Sequence, residues 1–428
     1  MPKKKSALPG LPVQALGEDF AALIASSAGA AAPGKQPPRH ERLFTGPDIL
    51  AALAIATLIG AAYSPIVQGM LSGASDYTAH ASFAQRFVEQ GTLVSPACLL
   101  HLLVAALVRS GLAASYESAT LAVVVCSHAA VAAVLYSCAR WAVGTHGGRL
   151  GRFLPGVIAV IGPFVQPPVS WNTQYSIGYI WAEPYHSPTY ALLKPFALAG
   201  AAFAVYFLAQ SRQPNWKVIS LCAVTVAAGT LAKPSFAICA LPALVLCAVY
   251  QQARKAPFSR IGVLCGWLLP GLATLAWQYL RTYATPDDPS RYADSIIFAP
   301  LAVMRVHTND LAAPYFWSTL LPLCVFAVFG KQAWADGGLR FSLIAFLFGT
   351  VYTYTLAEQA RLGAGNFLWS SYITLFVLYF FAVVFVLRQL TNQVPTAKTL
   401  LRAAPCIVIL IWQLTSGFSV HMNYIGRY

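Results

Sequence analysis

Charge is scarce in this 428-residue chain: Asp, Glu, Lys and Arg make up 10% of it, against 57% hydrophobic residues. Water-soluble domains run near one quarter charged, so the low charge and a mean hydropathy of +0.61 exclude a soluble fold. The chain reads as an all-α polytopic membrane protein. Acid is the rarer sign, with 14 Asp and Glu against 28 Lys and Arg and a net charge of +14. That excess does not point to nucleic acid, because the cations are scattered among apolar spans, where membrane orientation accounts for them. Paired cysteine motifs are missing too. The nine cysteines (98, 126, 138, 222, 239, 247, 265, 324, 406) lie in apolar stretches with no CxxC pair, which leaves small core residues rather than disulfides or a zinc site. There is no Walker A pattern, no GxGxxG after a strand, no HExxH and no GxSxG.

What is present is a succession of hydrophobic runs. Those long enough to cross roughly 30 Å of hydrocarbon lie near 47–67, 117–139, 153–171, 189–209, 217–232, 235–251, 261–279, 314–330, 341–357, 370–388 and 400–418. Residues 1–45, with Lys3, Lys4 and Lys5 at the start and Arg39 and Arg42 at the end, read as a disordered basic cytoplasmic tail. No apolar run follows the lysines directly, so a cleaved signal peptide is not expected. The run Cys98–Val108 decides the topology. If it crosses, the clusters Arg140/Arg149/Arg152, Arg254/Lys255/Arg260 and Arg388/Lys398/Arg402 fall outside, against the positive-inside bias. If it lies at the interface, 19 of the 28 Lys and Arg face the cytoplasm. Residues 98–112 are therefore taken as a juxtamembrane or re-entrant helix. The domain 46–428 then has about eleven spans, with outer segments 68–116, 172–188, 280–313 and 358–369.

Those segments hold the candidate chemistry. Asp76 and His80 lie four residues apart at the start of an amphipathic helix, Thr78–Gln90, whose apolar stripe is Phe83, Ala84, Phe87 and Val88. Asp76 is either a helix cap or a reactive carboxylate, and the roles can coexist. Glu183 and His186 stand three apart, each flanked by a proline nearby, Pro184 and Pro188, beyond what an aromatic belt explains. Lys194 sits about one turn inside a span, where a charge costs roughly 2.5–3.5 kcal/mol; it faces a polar cavity or snorkels. Lys233 before Pro234 either holds a lipid-linked phosphate or anchors a helix end. Arg291, Arg305 and His307 are watched for phosphate contacts. Glu358 and Arg361 can pair at helical spacing, and Asn366 can cap a span or bond a sugar. His101 and His128, on apolar helices, read first as core histidines.

This layout resembles the GT-C superfamily of membrane glycosyltransferases, which use polyprenyl-phosphate-linked sugars. Asp76 matches the acid of that family's first outer loop, and Thr78–Gln90 and Pro96–Leu112 match its juxtamembrane helices. The run His186-Ser187-Pro188-Thr189 with Lys194-Pro195-Phe196 is similar to a His-Asn-Pro-Thr and Lys-Pro-Phe stretch of bacterial members, Ser187 replacing Asn. The resemblance implies sugar transfer on the outer face of a bacterial inner membrane, from a polyprenyl-phosphate donor to a glycan, lipid or protein acceptor, without nucleic acid. Asp76 is then the base, and His80 orients it or touches the donor. The pool of phosphate or sugar ligands is Lys194, Lys233, Arg305, Arg361, Glu183, His186 and Asn366. Many members carry two loop acids; here Tyr77 follows Asp76, and Glu183 is the candidate second carboxylate. A divalent cation is the one cofactor this reading admits. Two rivals stand beside it: a transporter or flippase of lipid-linked sugars, which favours internal repeats and midplane charges, and a polysaccharide polymerase or ligase.

Overall fold

The computed structural model describes residues 45–73, 75–143, 148–165, 185, 187–211, 213–284, 295–391 and 396–426. The expected tail up to residue 44, and Glu183 and His186, lie outside the described residues, as does the side chain of Arg361. The chain is an all-helical polytopic membrane protein. Among the described residues eight helices are long and apolar enough to cross a membrane: Gly46–Ser72, Tyr116–Ala142, Pro188–Ala209, Ser235–Ala253, Gly262–Tyr283, Ala312–Phe329, Leu368–Thr391 and Ala397–Ile425. Gly148–Ile161, Trp216–Ala232 and Gly337–Thr355 are further helices, shorter or less apolar than these.

Two spans form the centre. Pro188–Ala209 and Leu368–Thr391 are 89% and 94% buried along their apolar windows, against 22% for Gly46–Ser72. A helix that is hydrophobic all round belongs inside. The outer helices turn Leu50, Leu53, Val224, Val249, Leu401 and Val408 outward, as lipid-facing surfaces do. The central helix Leu368–Thr391 packs closely on Gly337–Thr355. A Cβ at Gly349 would lie 2.6 Å from Thr374 Oγ1 and 2.8 Å from the Ser370 carbonyl oxygen, so only glycine allows this approach, the small-residue contact typical of membrane helices. Beyond it, Thr353 Oγ1 donates to the Phe367 carbonyl at 2.9 Å, which aligns the ends of the two helices.

At the end away from those contacts, Asp48 ties the first two spans together. Its Oδ1 accepts from Arg140 Nε at 3.1 Å and from Tyr136 OH at 3.0 Å. Arg388 meets Asp336 at 3.1 Å in the same manner.

Two helices between the first spans are too short to cross. Leu99–Arg109 is about 16 Å long at 1.5 Å per residue, short of the roughly 30 Å of hydrocarbon. The amphipathic helix begins at Asp76, two residues earlier than the sequence suggests, and buries Tyr77, Ala81 and Ala84. The buried stripe is thus rotated toward Tyr77, leaving Phe83, Phe87 and Val88 half-buried. One feature is not helical at all. Ile296–Phe298 pairs antiparallel with Leu356–Glu358, placing Ile296 opposite Glu358.

Candidate functional site

A cavity of about 780 Å³ opens where many helix ends meet, within the roughly 300–1,000 Å³ usual for small-ligand sites. Asp76, His80, Lys233 and Asn366 line it, joined by Ser187, Thr189, Gln278, Tyr283, His307, Glu358 and Trp369. Six of the sequence candidates, Asp76, His80, Lys233, His307, Glu358 and Asn366, therefore converge from chain positions up to 290 residues apart.

Asp76 is not the cap of its helix. Ser75 is: its Oγ accepts from the Tyr77 N–H at 3.2 Å, and Thr78 Oγ1 accepts from the Ser75 N–H at 3.4 Å. Asp76, the first helical residue, is left to line the cavity while fully buried Tyr77 anchors the turn. Free N–H groups and the dipole at a helix start favour a carboxylate there.

Lys233 owes its place to Pro234. A residue before proline is pushed out of the helical region, and Lys233 is extended at φ −166°, ψ 128°, ending Trp216–Ala232. Its Nζ lies 3.4 Å from both Ser187 Oγ and Thr189 Oγ1, and 4.1 Å from the centre of the Trp369 ring. Ser187 and Thr189, themselves 3.0 Å apart, flank Pro188 at the start of the central span. The Ser-Pro-Thr stretch thus supplies the hydroxyls that hold the lysine. Loss of water lowers the Lys233 amine to about 8, while the Asp76 charge works to raise it.

His80 does not orient Asp76 through any contact seen here; its partner is His101. His80 Nδ1 stands 2.8 Å from His101 Nε2, with the rings stacked at 5.1 Å. His101, expected as a core histidine, is thus a buried one paired with a residue of the cavity wall. His101 is buried, and its Nδ1 has no hydrogen-bond partner among the described residues. Burial lowers both imidazoles, His80 to about 3 and His101 to about 4, with His101 and Lys233 adding to the effect on His80. Each ring is neutral at pH 7 and carries one N–H. If His80 donated, His101 would strand an N–H in the interior. With His101 donating, only a lone pair is stranded, and neutral lone pairs are the cheaper group to leave unmade. His101 Nε2–H therefore donates to His80 Nδ1, which makes His80 Nε2 the N–H donor.

Glu358, which also lines the cavity, accepts from Tyr283 OH at 3.4 Å and from Asn366 Nδ2. The sequence offers Arg361 as its partner; the described contacts are these neutral donors. Gln278, which nothing in the sequence singled out, donates to the carbonyls of Thr230 at 2.9 Å and Pro96 at 3.0 Å and so ties three wall segments together.

Two candidates are not brought to the cavity. Lys194 lies buried within the central span, its Nζ 4.8 Å from the Tyr190 ring centre and 5.3 Å from that of Phe376. Thr189 faces the cavity, and five residues turn a helix by about 140° beyond a full circle, which carries Lys194 to another face. Arg305 is exposed on Ala302–His307; its neighbour His307 lines the cavity instead. His128 is a core residue, stacked on Tyr63 at 4.0 Å. Among the described residues no three His, Cys, Asp or Glu side chains converge as metal ligands would. No protein-family model matches the chain, nor does any curated sequence or solved structure.

Proposed function

We propose that the chain is an integral-membrane glycosyltransferase that moves a sugar from a polyprenyl phosphate to an acceptor hydroxyl at the outer face of a bacterial inner membrane. The observation that carries this reading is the juxtaposition of Asp76 and Lys233 on the wall of one cavity, with Ser187, Thr189 and Trp369 around the lysine. The same wall offers an acceptor of protons and a cation for phosphate, and it lies at helix ends, where a lipid-borne substrate arrives from the bilayer.

Eleven spans follow if Gly148–Ile161, Trp216–Ala232 and Gly337–Thr355 cross together with the eight longer helices. The cavity then sits at the C-terminal ends of Trp216–Ala232, Gly262–Tyr283 and Gly337–Thr355 and the N-terminal ends of Pro188–Ala209, Ser235–Ala253 and Leu368–Thr391. Arg140, Arg254, Arg260, Arg340 and Arg388 belong to the opposite ends, which by the positive-inside bias are cytoplasmic. The cavity faces out.

In this mechanism Asp76 takes the proton of the acceptor hydroxyl as its oxygen attacks the anomeric carbon. The bond from that carbon to the phosphate oxygen breaks, and the polyprenyl phosphate leaves with the electron pair. Lys233 and the His80 N–H stabilise the charge on the departing phosphate. The acceptor is a glycan, lipid or protein. A flippase of the same lipid would need Asp76 for binding at most, so the discriminating experiment is sugar transfer by Asp76→Asn in nanodiscs with donor binding measured in parallel. Loss of transfer with binding kept supports the base; transfer that persists removes it.

A further inference from the structure

Two chemically different clusters of side chains line the cavity and define what are called its ends. One is cationic, where Lys233 is held by the hydroxyls of Ser187 and Thr189. The other is built on Glu358, held by Tyr283 OH and the Asn366 amide. Its backbone is fixed by the strand pairing with Ile296. Trp369 belongs to both ends. Lys233 Nζ lies over its ring, and Asn366 precedes it by three residues at the mouth of the same helix.

We propose that the Glu358–Asn366–Tyr283 end binds the hydroxyl groups of the donor's sugar ring, while the lipid phosphate to which that ring is attached occupies the Lys233 end. This rests on the reading of the cavity as a site for a lipid-phosphate-linked sugar, and it adds which residues recognise the sugar.

Three features carry it. The first is chemical match: a carboxylate accepts from hydroxyl groups and offers about four acceptor positions, so one held by protein donors still takes a ligand hydroxyl. The second is the wall. Tyr279, Tyr283, Trp369 and Tyr372 line the cavity, and aromatic faces with a few fixed polar groups are the usual lining for a ligand with both apolar faces and polar edges. The third is adjacency. A sugar phosphate carries its ring and its anion side by side, and Trp369 places a ring-binding and a phosphate-binding group on neighbouring parts of one wall. A site for an acceptor alone would not need to adjoin the lysine.

The full-length protein in nanodiscs tests this by native mass spectrometry. The probes are undecaprenyl phosphate, its glucosyl, mannosyl, galactosyl and arabinosyl forms, and phosphatidylethanolamine. At least one glycosylated lipid should bind about tenfold tighter than undecaprenyl phosphate, the gain expected from a hydrogen bond to a charged group. Glu358→Gln and Asn366→Leu should each reduce that preference to near unity and leave undecaprenyl phosphate binding unchanged, which also reports that the variants are folded. Lys233→Gln should weaken the bare and glycosylated lipids alike. The proposal is overturned if no glycosylated lipid is preferred, if the preference survives both substitutions, or if Glu358 confers preference for phosphatidylethanolamine instead. The transferase reading fails separately: sugar-dependent binding that Glu358 controls, in a protein that transfers no sugar to any acceptor, leaves this inference standing and removes that one.

Discussion

His80 Nδ1 and His101 Nε2, on the helices Asp76–Gln90 and Leu99–Arg109, share a hydrogen bond of 2.8 Å. The buried side of that pair ends in an atom without a hydrogen-bond partner among the described residues, His101 Nδ1, and this sets the direction of the proton. Histidine-selective 15N NMR of the protein in nanodiscs at pH 7 should show His80 protonated on Nε2 and bare on Nδ1. The opposite tautomer would make His80 a base and reverse its role beside Asp76.

The same pair makes the protein sensitive to acid. Both imidazoles have folded values lowered by burial, to about 3 and about 4, so between those values and the unfolded value near 6.5 the unfolded chain binds more protons. Stability is therefore full above about pH 6.5 and falls on acidification toward pH 4. Thermal unfolding in detergent should show this loss, and the double substitution His80→Phe/His101→Phe should flatten it. An unchanged pH slope would remove the pair as its source.

Lys233 sets an alkaline limit. Its amine is lowered to about 8, so it is charged at neutral pH and binding of undecaprenyl phosphate should weaken as pH rises through 8. Because Asp76 raises that value, Asp76→Asn should move the limb to lower pH. A limb that stays in place would mean that the two groups are not coupled.

Lys194 and Lys233 should separate cleanly. Lys194→Met is expected to keep lipid-phosphate binding within a few-fold, whereas Lys233→Met loses on the order of tenfold or more, the scale of a charge-assisted hydrogen bond. Equal losses measured by equilibrium binding would contradict the placement of Lys194 off the cavity.

Gly349→Ala forces a methyl group against the Ser370 backbone. Overpacking costs about 1–3 kcal/mol, and it should also disturb the Thr353 to Phe367 bond and hence the alignment of Glu358 with Asn366. A lowered melting temperature together with lost sugar preference is the expected pair of results.

The sequence revealed those parts of the site that lie at helix ends. Pro188 and Pro234 end or start helices by local rules, so Lys233 and the Ser-Pro-Thr stretch could be placed at a turn, and the scarcity of charge made Asp76 conspicuous. Three features were hidden for physical reasons. The His80–His101 pair and the Glu358–Asn366 bond depend on packing between elements and leave no periodic trace. Ser75 displaced Asp76 as cap because both are good caps and only geometry chooses between neighbours. Lys194 follows Thr189 by five residues on one helix, and once Thr189 is known to face the cavity the helical phase turns Lys194 to another face. The short strand pair that positions Glu358 is only three residues long on each side, below what alternation can signal.

The central claim is that Asp76 acts as a base toward a substrate whose phosphate Lys233 holds. Its most direct test is single-turnover transfer from a radiolabelled polyprenyl-phosphate sugar by wild-type and Asp76→Asn protein in nanodiscs, at donor concentrations that saturate both. The account predicts a loss of about 10²–10⁴-fold in the rate, the usual contribution of a general base, with donor affinity changed by no more than a few-fold. Transfer at the wild-type rate by the folded, donor-saturated variant would contradict it.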